Sequence, residues 1–385
     1  MAHSLRILDS LDGIDPLAWD ALAGGNPTLC HAFLDSLHRS GCASPASGWS
    51  PCYPTLWDGA TLAGAAPVYA KSHSFGEYVF DWAWADAYER HGIAYYPKLL
   101  CAVPFTPATG ARLLAGDAAA RAQLAQAMLA LARESRLSSL HVLFPAAPDA
   151  ATLRAMGLLE RRGVQFHWSN PGYASFEAFL AELAHDKRKK IRQERRRVAE
   201  AGVALRRVTG REASERDWDF FTACYRRTYR EHRSTPYLDR RFFRMIAERM
   251  PEALLLVIAE RDGRPIAAAL DLFGGGTLYG RYWGSVEHVP GLHFEACYYQ
   301  AMEFCIERGI ARFEGGAQGE HKHARGFLAE ETRSFHWLAH PAFARAIDDF
   351  LAREGAGIDA YVDELNERTP FRRAGLAEAK GEKRG

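Results

Sequence analysis

Residues 254–284 read LLLVIAERDGRPIAAALDLFGGGTLYGRYWG. Leu254 to Ala259 is an unbroken apolar run of strand length, and Asp262-Gly263 is a tight-hairpin dipeptide. Ile266 to Phe273 runs back, Gly274-Gly275-Gly276 turns the chain again, and Thr277 to Gly284 follows. A helix from about Glu295 to Arg308 then leads to a strand at Ala311 to Glu314. Hairpins followed by a helix and a further strand predict an α/β (α+β) fold.

The first half repeats this grammar. Tyr53 to Trp57 and Thr61 to Ala70 flank Asp58-Gly59, and WDGATLAGA at 57–65 parallels RDGRPIAAA at 261–269. An aromatic strand follows in each half, Phe75 to Trp84 in the first, and then a tyrosine pair, Tyr95-Tyr96 and Tyr298-Tyr299. The parallel order predicts an internal duplication; the plainer reading is two unrelated domains that share a common hairpin. Elsewhere the spacing predicts a strand at Ser4 to Leu11, a helical stretch at Trp19 to Leu37 broken by Gly24, Gly25 and Pro27, a helix at Ala118 to Arg133, and strands at Leu140 to Phe144 and Leu158 to Trp168. One long helix is expected from Phe176 to Ala201, ended by Gly202. The natural division is 1–168, 169–370 and a flexible tail at 371–385, whose last seven residues have almost nothing to bury.

A chain of 385 residues exceeds one ordinary core. Its 48% apolar, 12% aromatic and 25% charged residues are those of a folded globular protein, and a net charge of +1 excludes a polyanion-binding surface spread over the whole molecule. No secretory leader and no apolar run of membrane-spanning length is seen. Seven scattered cysteines, without CxxC or Cys/His spacing, read as reduced thiols, so a cytoplasmic location is expected and no metal site.

Three segments carry chemistry. Residues 186–197 hold eight Lys/Arg and two acids. Arg188, Arg192 and Arg195 share one helix flank, where an anion would offset their repulsion; Lys189 lies beside them. The bland alternative is a solvated face whose Arg stems cover apolar neighbours. Around the triple glycine, Asp271 is a carboxylate in an apolar strand; a turn centred on Gly275 sets it opposite Tyr279, with Arg281 or Tyr282 as partner, in a structural ion pair or a substrate clamp. The densest segment is His293-Phe-Glu295 with EGGAQGEHKHAR at 314–325. Glu314 ends a buried strand, the glycines let backbone amides approach a ligand, and Gln318, Glu320, His321, Lys322 and Arg325 supply polar, acid, base and cation groups at a strand end. Structural carboxylates and surface histidines are the competing readings. A weaker signal is FTPATGAR at 105–112, where Thr109 and Gly110 offer a glycine-containing turn for a pyrophosphate against the plainer reading of a Pro-rich loop.

The chain resembles the Fem-related branch of the GNAT acyltransferases, the bacterial predicted N-acyltransferases described as peptidoglycan biosynthesis/recognition proteins. The resemblance rests on HDKRKKIRQER from 185, LYGRYWG from 278, HFEACYYQ from 293, EGGAQGEHK from 314 and VPFTPATGARLL from 103, and runs from about residue 5 to 371. It implies tandem GNAT-like domains, each a mixed, splayed sheet flanked by helices. GNAT enzymes hold acyl-CoA in the splay, with a glycine-containing loop on the pyrophosphate; Fem enzymes take an aminoacyl group from tRNA and add it to a cell-wall peptide. The chain has no Arg/Gln-x-x-Gly-x-Gly/Ala loop after a strand and no coiled-coil arm, and Thr106 to Arg112 is its nearest approach to a pyrophosphate cradle.

The expectation is an N-acyltransferase that moves an acyl or aminoacyl group from acyl-CoA or aminoacyl-tRNA to an amine of a cell-envelope precursor, with no permanently bound cofactor. Glu314 or His321 would handle the proton, Tyr282 would steady the oxyanion, and Glu295 belongs to the same catalytic set. Arg188, Lys189, Arg192, Arg281, His293, Gln318, Glu320, Lys322, Thr109 and Gly110 would bind substrate or phosphate. The competitors are a non-catalytic binder of a peptidoglycan-related or nucleotide-linked ligand and an RNA-binding protein.

Overall fold

A computed structural model describes residues 3–317 and 319–372. Gln318 and the tail from residue 373 lie outside the described residues. The contacts divide the chain into two compact units that interleave along the sequence. One contains Met1–Gly163, Tyr237–Ile246 and Glu331–Asp359; the other contains Val164–Pro236, Ala247–Glu330 and a segment beginning at Ala360. The units are therefore not the consecutive segments 1–168 and 169–370. Two long strands, Leu159–Ser169 and Leu328–Leu338, each divide between the units.

In the first unit Ser4–Leu8, Tyr53–Asp58, Thr61–Ala65 and Leu114–Ala115 form a four-stranded antiparallel sheet. A second set runs Trp49–Pro51, Val68–Lys71, Lys98–Cys101 and Ser139–Leu143, its last pair parallel. Residues 334–338, from the far half of the chain, close that set antiparallel to 139–143. Helix Ala118–Glu134, capped by the Asp117 carboxylate on the Ala120 amide, lays Leu124, Met128 and Ala132 into the core with Leu99, Val142 and Phe335.

The second unit contains the meander read from residues 254–284. Val203–Thr209, Leu254–Arg261, Arg264–Gly274 and Thr277–Ser285 pair antiparallel in that order. Residues 277–279 then pair parallel with Arg312–Glu314, and 167–169, from the first half of the sequence, close the set antiparallel to 312–314. Each unit thus holds one parallel pair of the mixed sheet, and in each a strand from the opposite half of the sequence joins the set. Helix Glu215–Glu231 starts in a reciprocal cap, Ser214 with Asp217, and packs across the meander. It comes so close that a Cβ at Gly284 would collide with the Cys224 carbonyl.

Three expectations are corrected. Phe75 to Trp84 is not a strand: the chain turns there and Trp82–Arg90 is helical. The alternation misled because the aromatics Phe75, Phe80 and Trp82 are exposed while Glu77 and Asp81 turn inward to Lys98. The helix expected at Phe176 to Ala201 is two helices, Phe176–Glu182 and His185–Glu200. Leu183 between them is extended and bridges to Phe371, and the Arg372 amide donates to the Glu182 carbonyl, so residues 371–372 are fastened rather than part of a loose tail. The long helix Pro341–Glu367 was not foreseen. Among the described residues no helix is long and apolar enough to cross a membrane.

Gly284→Ala should destabilise the chain by about 1–3 kcal/mol through overpacking against helix Glu215–Glu231, read as a lowered denaturant midpoint with unchanged m-value.

Candidate active site at a strand fork

The chemistry-bearing residues of the second unit gather where two parallel strands part. Tyr279 pairs with Glu314; past them, at Gly280 and Gly315, the strands Thr277–Ser285 and Arg312–Glu314 no longer pair. Both fork positions are closely packed glycines. A Cβ on Gly280 would stand 3.1 Å from the Phe313 ring, and one on Gly315 would stand 2.9 Å from Phe327 and 3.1 Å from Cδ of Lys322. The Lys322 stem therefore lies directly against the Gly315 backbone.

Lys322 is 2% exposed, and its Nζ donates to the Gly316 carbonyl at 3.1 Å. Burial pushes its ammonium down to about 8, opposed by the field of the Cys297 thiol. It sits in the short helical turn Glu320–Arg325 with His321 beside it. His321 Nε2 lies 3.0 Å from the Tyr298 hydroxyl. Its ring neighbours are Phe294 and His293, with centroids at 5.6 and 6.1 Å. Burial lowers the pKa of both histidines, that of His293 to about 4, and the cations Lys322 and Arg325 push the same way. Both rings are therefore neutral at pH 7 and able to accept a proton.

Glu314 is buried at the fork, with one oxygen 3.5 Å from Nε of Arg312. Arg312 also reaches the ring of His167, whose pKa falls to about 3 through burial first and then the cations Arg312 and Lys322. Glu320 is exposed. Arg281 and Tyr282 lie beyond the fork on the diverging strand, where the guanidinium donates to the Tyr282 hydroxyl at 3.0 Å.

Several expected partners are engaged elsewhere. Glu295 is 4% exposed and accepts both Nε and Nη2 of Arg195 at 3.0 and 3.1 Å, while Gln300 donates to it at 2.8 Å. Arg195 also reaches Glu303 at 2.6 Å. Glu295 is thus an internal anchor for the basic helix. Arg192 pairs with Glu177 at the surface. The flank Arg188, Arg192, Arg195 is accordingly not a ready-made phosphate grip. Among the described residues Arg188, Lys189, Lys190 and Arg197 of that helix have no carboxylate partner. The turn at Thr109 and Gly110 belongs to the first unit and is fastened internally. The Gly110 amide donates to the Phe144 carbonyl, and the Arg112 and Leu113 amides both donate to Asp149. A pyrophosphate cradle needs such amides free; these are used.

Two groups escaped the sequence reading. Glu194 is the buried acid in the basic run, and Arg325, 2% exposed, donates to both its oxygens at 2.6 and 3.3 Å. Arg325 also donates to the Tyr299 hydroxyl at 3.0 Å and the His321 carbonyl at 2.6 Å, and stacks 3.4 Å over the Phe294 ring. The available signal was spacing: Glu194 falls between Ile191 and Val198 on the buried face. The other group is Cys297, half-buried in the π-helical turn Glu295–Tyr299 and close enough to feel both Asp271 and Lys322. Asp271 does not pair as expected. A bulge at Leu270/Asp271 sets it opposite Gly280 rather than Tyr279, and its Oδ2 has no hydrogen-bond partner. Burial pushes its carboxyl well above the usual range.

The mixed sheet, with a parallel pair in each unit, and the fork are those of a tandem GNAT-like α/β fold. The chain belongs to the FemAB-like family, described as peptidoglycan biosynthesis/recognition, which matches residues 10–373. Among solved structures it is similar to FemX at 12% identity and TM-score 0.54, covering 90% of this chain and 100% of that one. It is likewise similar to L-PGS from Bacillus licheniformis at 10% identity and TM-score 0.53, covering 90% and 99%. A tandem GNAT protein of the clavulanic acid biosynthesis pathway aligns at 14% identity and TM-score 0.45, covering 88% and 99%. No curated protein matches the chain.

Two measurements follow. Breaking the buried pair with Glu194→Ala or Arg325→Ala should cost about 3–5 kcal/mol, because each leaves a desolvated charge alone; a double-mutant cycle in urea reads the coupling. For Asp271 the folded-state pKa is raised, so the folded chain holds a proton that the unfolded chain has lost. Stability should fall as pH climbs above about 4, by about 1.4 kcal/mol per unit until the folded pKa is reached. Asp271→Asn should remove that slope in denaturation curves taken across pH 4–8.

Proposed function

We propose that this chain is a cytoplasmic N-acyltransferase that moves an acyl or aminoacyl group from a phosphate-bearing activated donor to a primary amine of a cell-envelope precursor. The observation that carries this reading is the fork itself. A buried ammonium, Lys322, stands where two parallel strands open, with neutral His321 in the adjoining turn and neutral His293 beside it. Family membership supports the peptidoglycan-related acceptor.

Amide formation needs an amine that has lost its ammonium proton and a positive group where the tetrahedral oxygen gathers charge. Lys322 serves the second need: held at low exposure, its charge acts in a poorly screened site. His321 serves as the proton acceptor, with the Tyr298 hydroxyl fixing its ring. Glu314, at the end of its strand, positions Arg312 and the fork's polar wall. The unpaired cations Arg188, Lys189, Lys190 and Arg197 attract the donor's phosphates. Both acyl-CoA and aminoacyl-tRNA carry such phosphates, and the donor is assigned here only as one of this pair. No resident cofactor enters the scheme.

The test is product formation, by mass spectrometry, with acetyl-CoA or a mixed aminoacyl-tRNA pool as donor and a nucleotide-linked peptidoglycan peptide as acceptor. Lys322→Met should lower kcat about 10²- to 10³-fold with a small change in donor KM. His321→Ala should lower it about 10²-fold. Binding of acceptor without any transfer from either donor would overturn the catalytic reading in favour of a recognition protein. Donor affinity should fall with added salt, and doing so more steeply for tRNA than for acetyl-CoA would identify the polynucleotide.

A further inference from the structure

From Ile266 on, the strand Arg264–Gly274 is apolar except for one carboxyl. Asp271 is 2% exposed within the run IAAALDLF, and it occurs at the bulge that sets it opposite Gly280. Its Oδ1 lies 3.6 Å from where a Gly280 Cβ would stand, so the carboxyl lies beside the first residue past the last strand pairing. Its Oδ2 is buried and makes no hydrogen bond. Among the described residues no Lys, Arg or His forms an ion pair with it. The titratable groups within range of its field are the thiols of Cys297 and Cys305, which are neutral and supply no counter-charge. A buried polar atom without a partner costs stability, and natural chains rarely keep one without a use.

We propose that Asp271 is the binding residue for the acceptor's primary amine, which it receives at the base of the fork and holds in its neutral form. This rests on the transferase reading above and adds the residue that takes the nucleophile. The chemistry selects an amine. A buried carboxyl with an unpartnered oxygen is matched by a group that brings an N–H donor to it, and an acceptor amine brings one. A metal ion needs several ligands, and no cluster of three His, Cys, Asp or Glu suited to one occurs among the described residues.

The proton balance is explicit. Without ligand Asp271 carries its proton. The acceptor arrives as R–NH3+. In the complex an N–H of the now neutral amine donates to the carboxyl's unpartnered oxygen, the carboxyl keeps its own proton, and one proton of the ammonium leaves to solvent. One N–H bond of the ammonium breaks, one proton is released per amine bound, and no redox partner is involved. The nitrogen lone pair is then free to attack the donor carbonyl near Lys322. This divides the labour between two buried groups: Asp271 receives the nucleophile, and Lys322 meets the charge that forms on the carbonyl oxygen.

The test needs no donor. Infrared spectra of the full chain at pH 7 should contain a protonated-carboxyl band that is missing from Asp271→Asn. Methylammonium chloride should shift or deplete that band, and tetramethylammonium chloride at equal ionic strength should leave it unchanged, since it has no proton to share. With donor present, Asp271→Asn should raise the acceptor's KM about ten- to hundredfold while the donor's KM is unchanged. Thermal unfolding of Asp271→Asn and of the apolar Asp271→Leu should show midpoints equal to or above the parent's. The proposal is overturned if the band is absent, if methylammonium leaves it unmoved, or if neither variant folds, which would make the carboxyl a structural group. Failure of transfer with a preserved methylammonium response would sink the transferase reading and leave the amine site standing. Transfer without that response would sink the amine site alone.

Discussion

One carboxylate in a run of cations organises the second unit. Glu194 turns inward from helix His185–Glu200 and takes the Arg325 guanidinium on both oxygens. Arg325 ends the turn that carries His321 and Lys322, and it also fixes the His321 carbonyl and covers the Phe294 ring. A buried pair of this kind adds little net stability over an apolar filling, but it specifies geometry strongly because either partner left alone is costly. The loop after Glu314 is rich in glycine and would otherwise have little to hold it. Its position follows from this pair, from the Lys322 stem against Gly315, and from the His323 ring, whose nitrogens lie 3.1 Å from the Phe327 and Arg368 carbonyls.

The first unit uses buried charge for structure in a parallel way. Lys98, fully buried, is held between Glu77 and Asp81, with the Ser74 hydroxyl at 2.7 Å. Arg112, equally buried, donates to the Leu143 and Ala108 carbonyls and holds the Thr106 to Arg112 loop in place. That fastening explains why a glycine-containing turn that resembles a phosphate cradle is not one. The motif's residues are spent on internal hydrogen bonds. The second unit differs at the fork, where it keeps a carboxyl without a partner and an ammonium with a lowered pKa. Buried groups with shifted protonation of this kind are where a fold gives up stability for binding and chemistry.

Strand exchange shapes both units. Residues 334–338 close the set in the first unit and 167–169 close the set in the second. An apolar strand carries no mark of which neighbour it will join, since pairing depends on which edge is open once the rest of the sheet has formed. The boundary at 168/169 assumed that strands pair within their own half of the sequence.

The sequence by itself determined the local elements whose signals are short-range: the hairpins at Asp58-Gly59 and Asp262-Gly263, the triple-glycine turn, helix Ala118–Glu134, and the concentration of ionisable groups from Glu314 to Arg325. It also carried the family through motifs spread along the chain. Only the tertiary structure decided which of those groups face each other. Glu295 and Arg192 looked like site residues and are bound to Arg195 and Glu177. Asp271 looked like half of an ion pair and stands alone, because one bulge shifts its register and moves Tyr279 past it. Residue type and spacing report what a side chain can do; burial and partnership, which set its charge, come from contacts tens or hundreds of residues away in sequence.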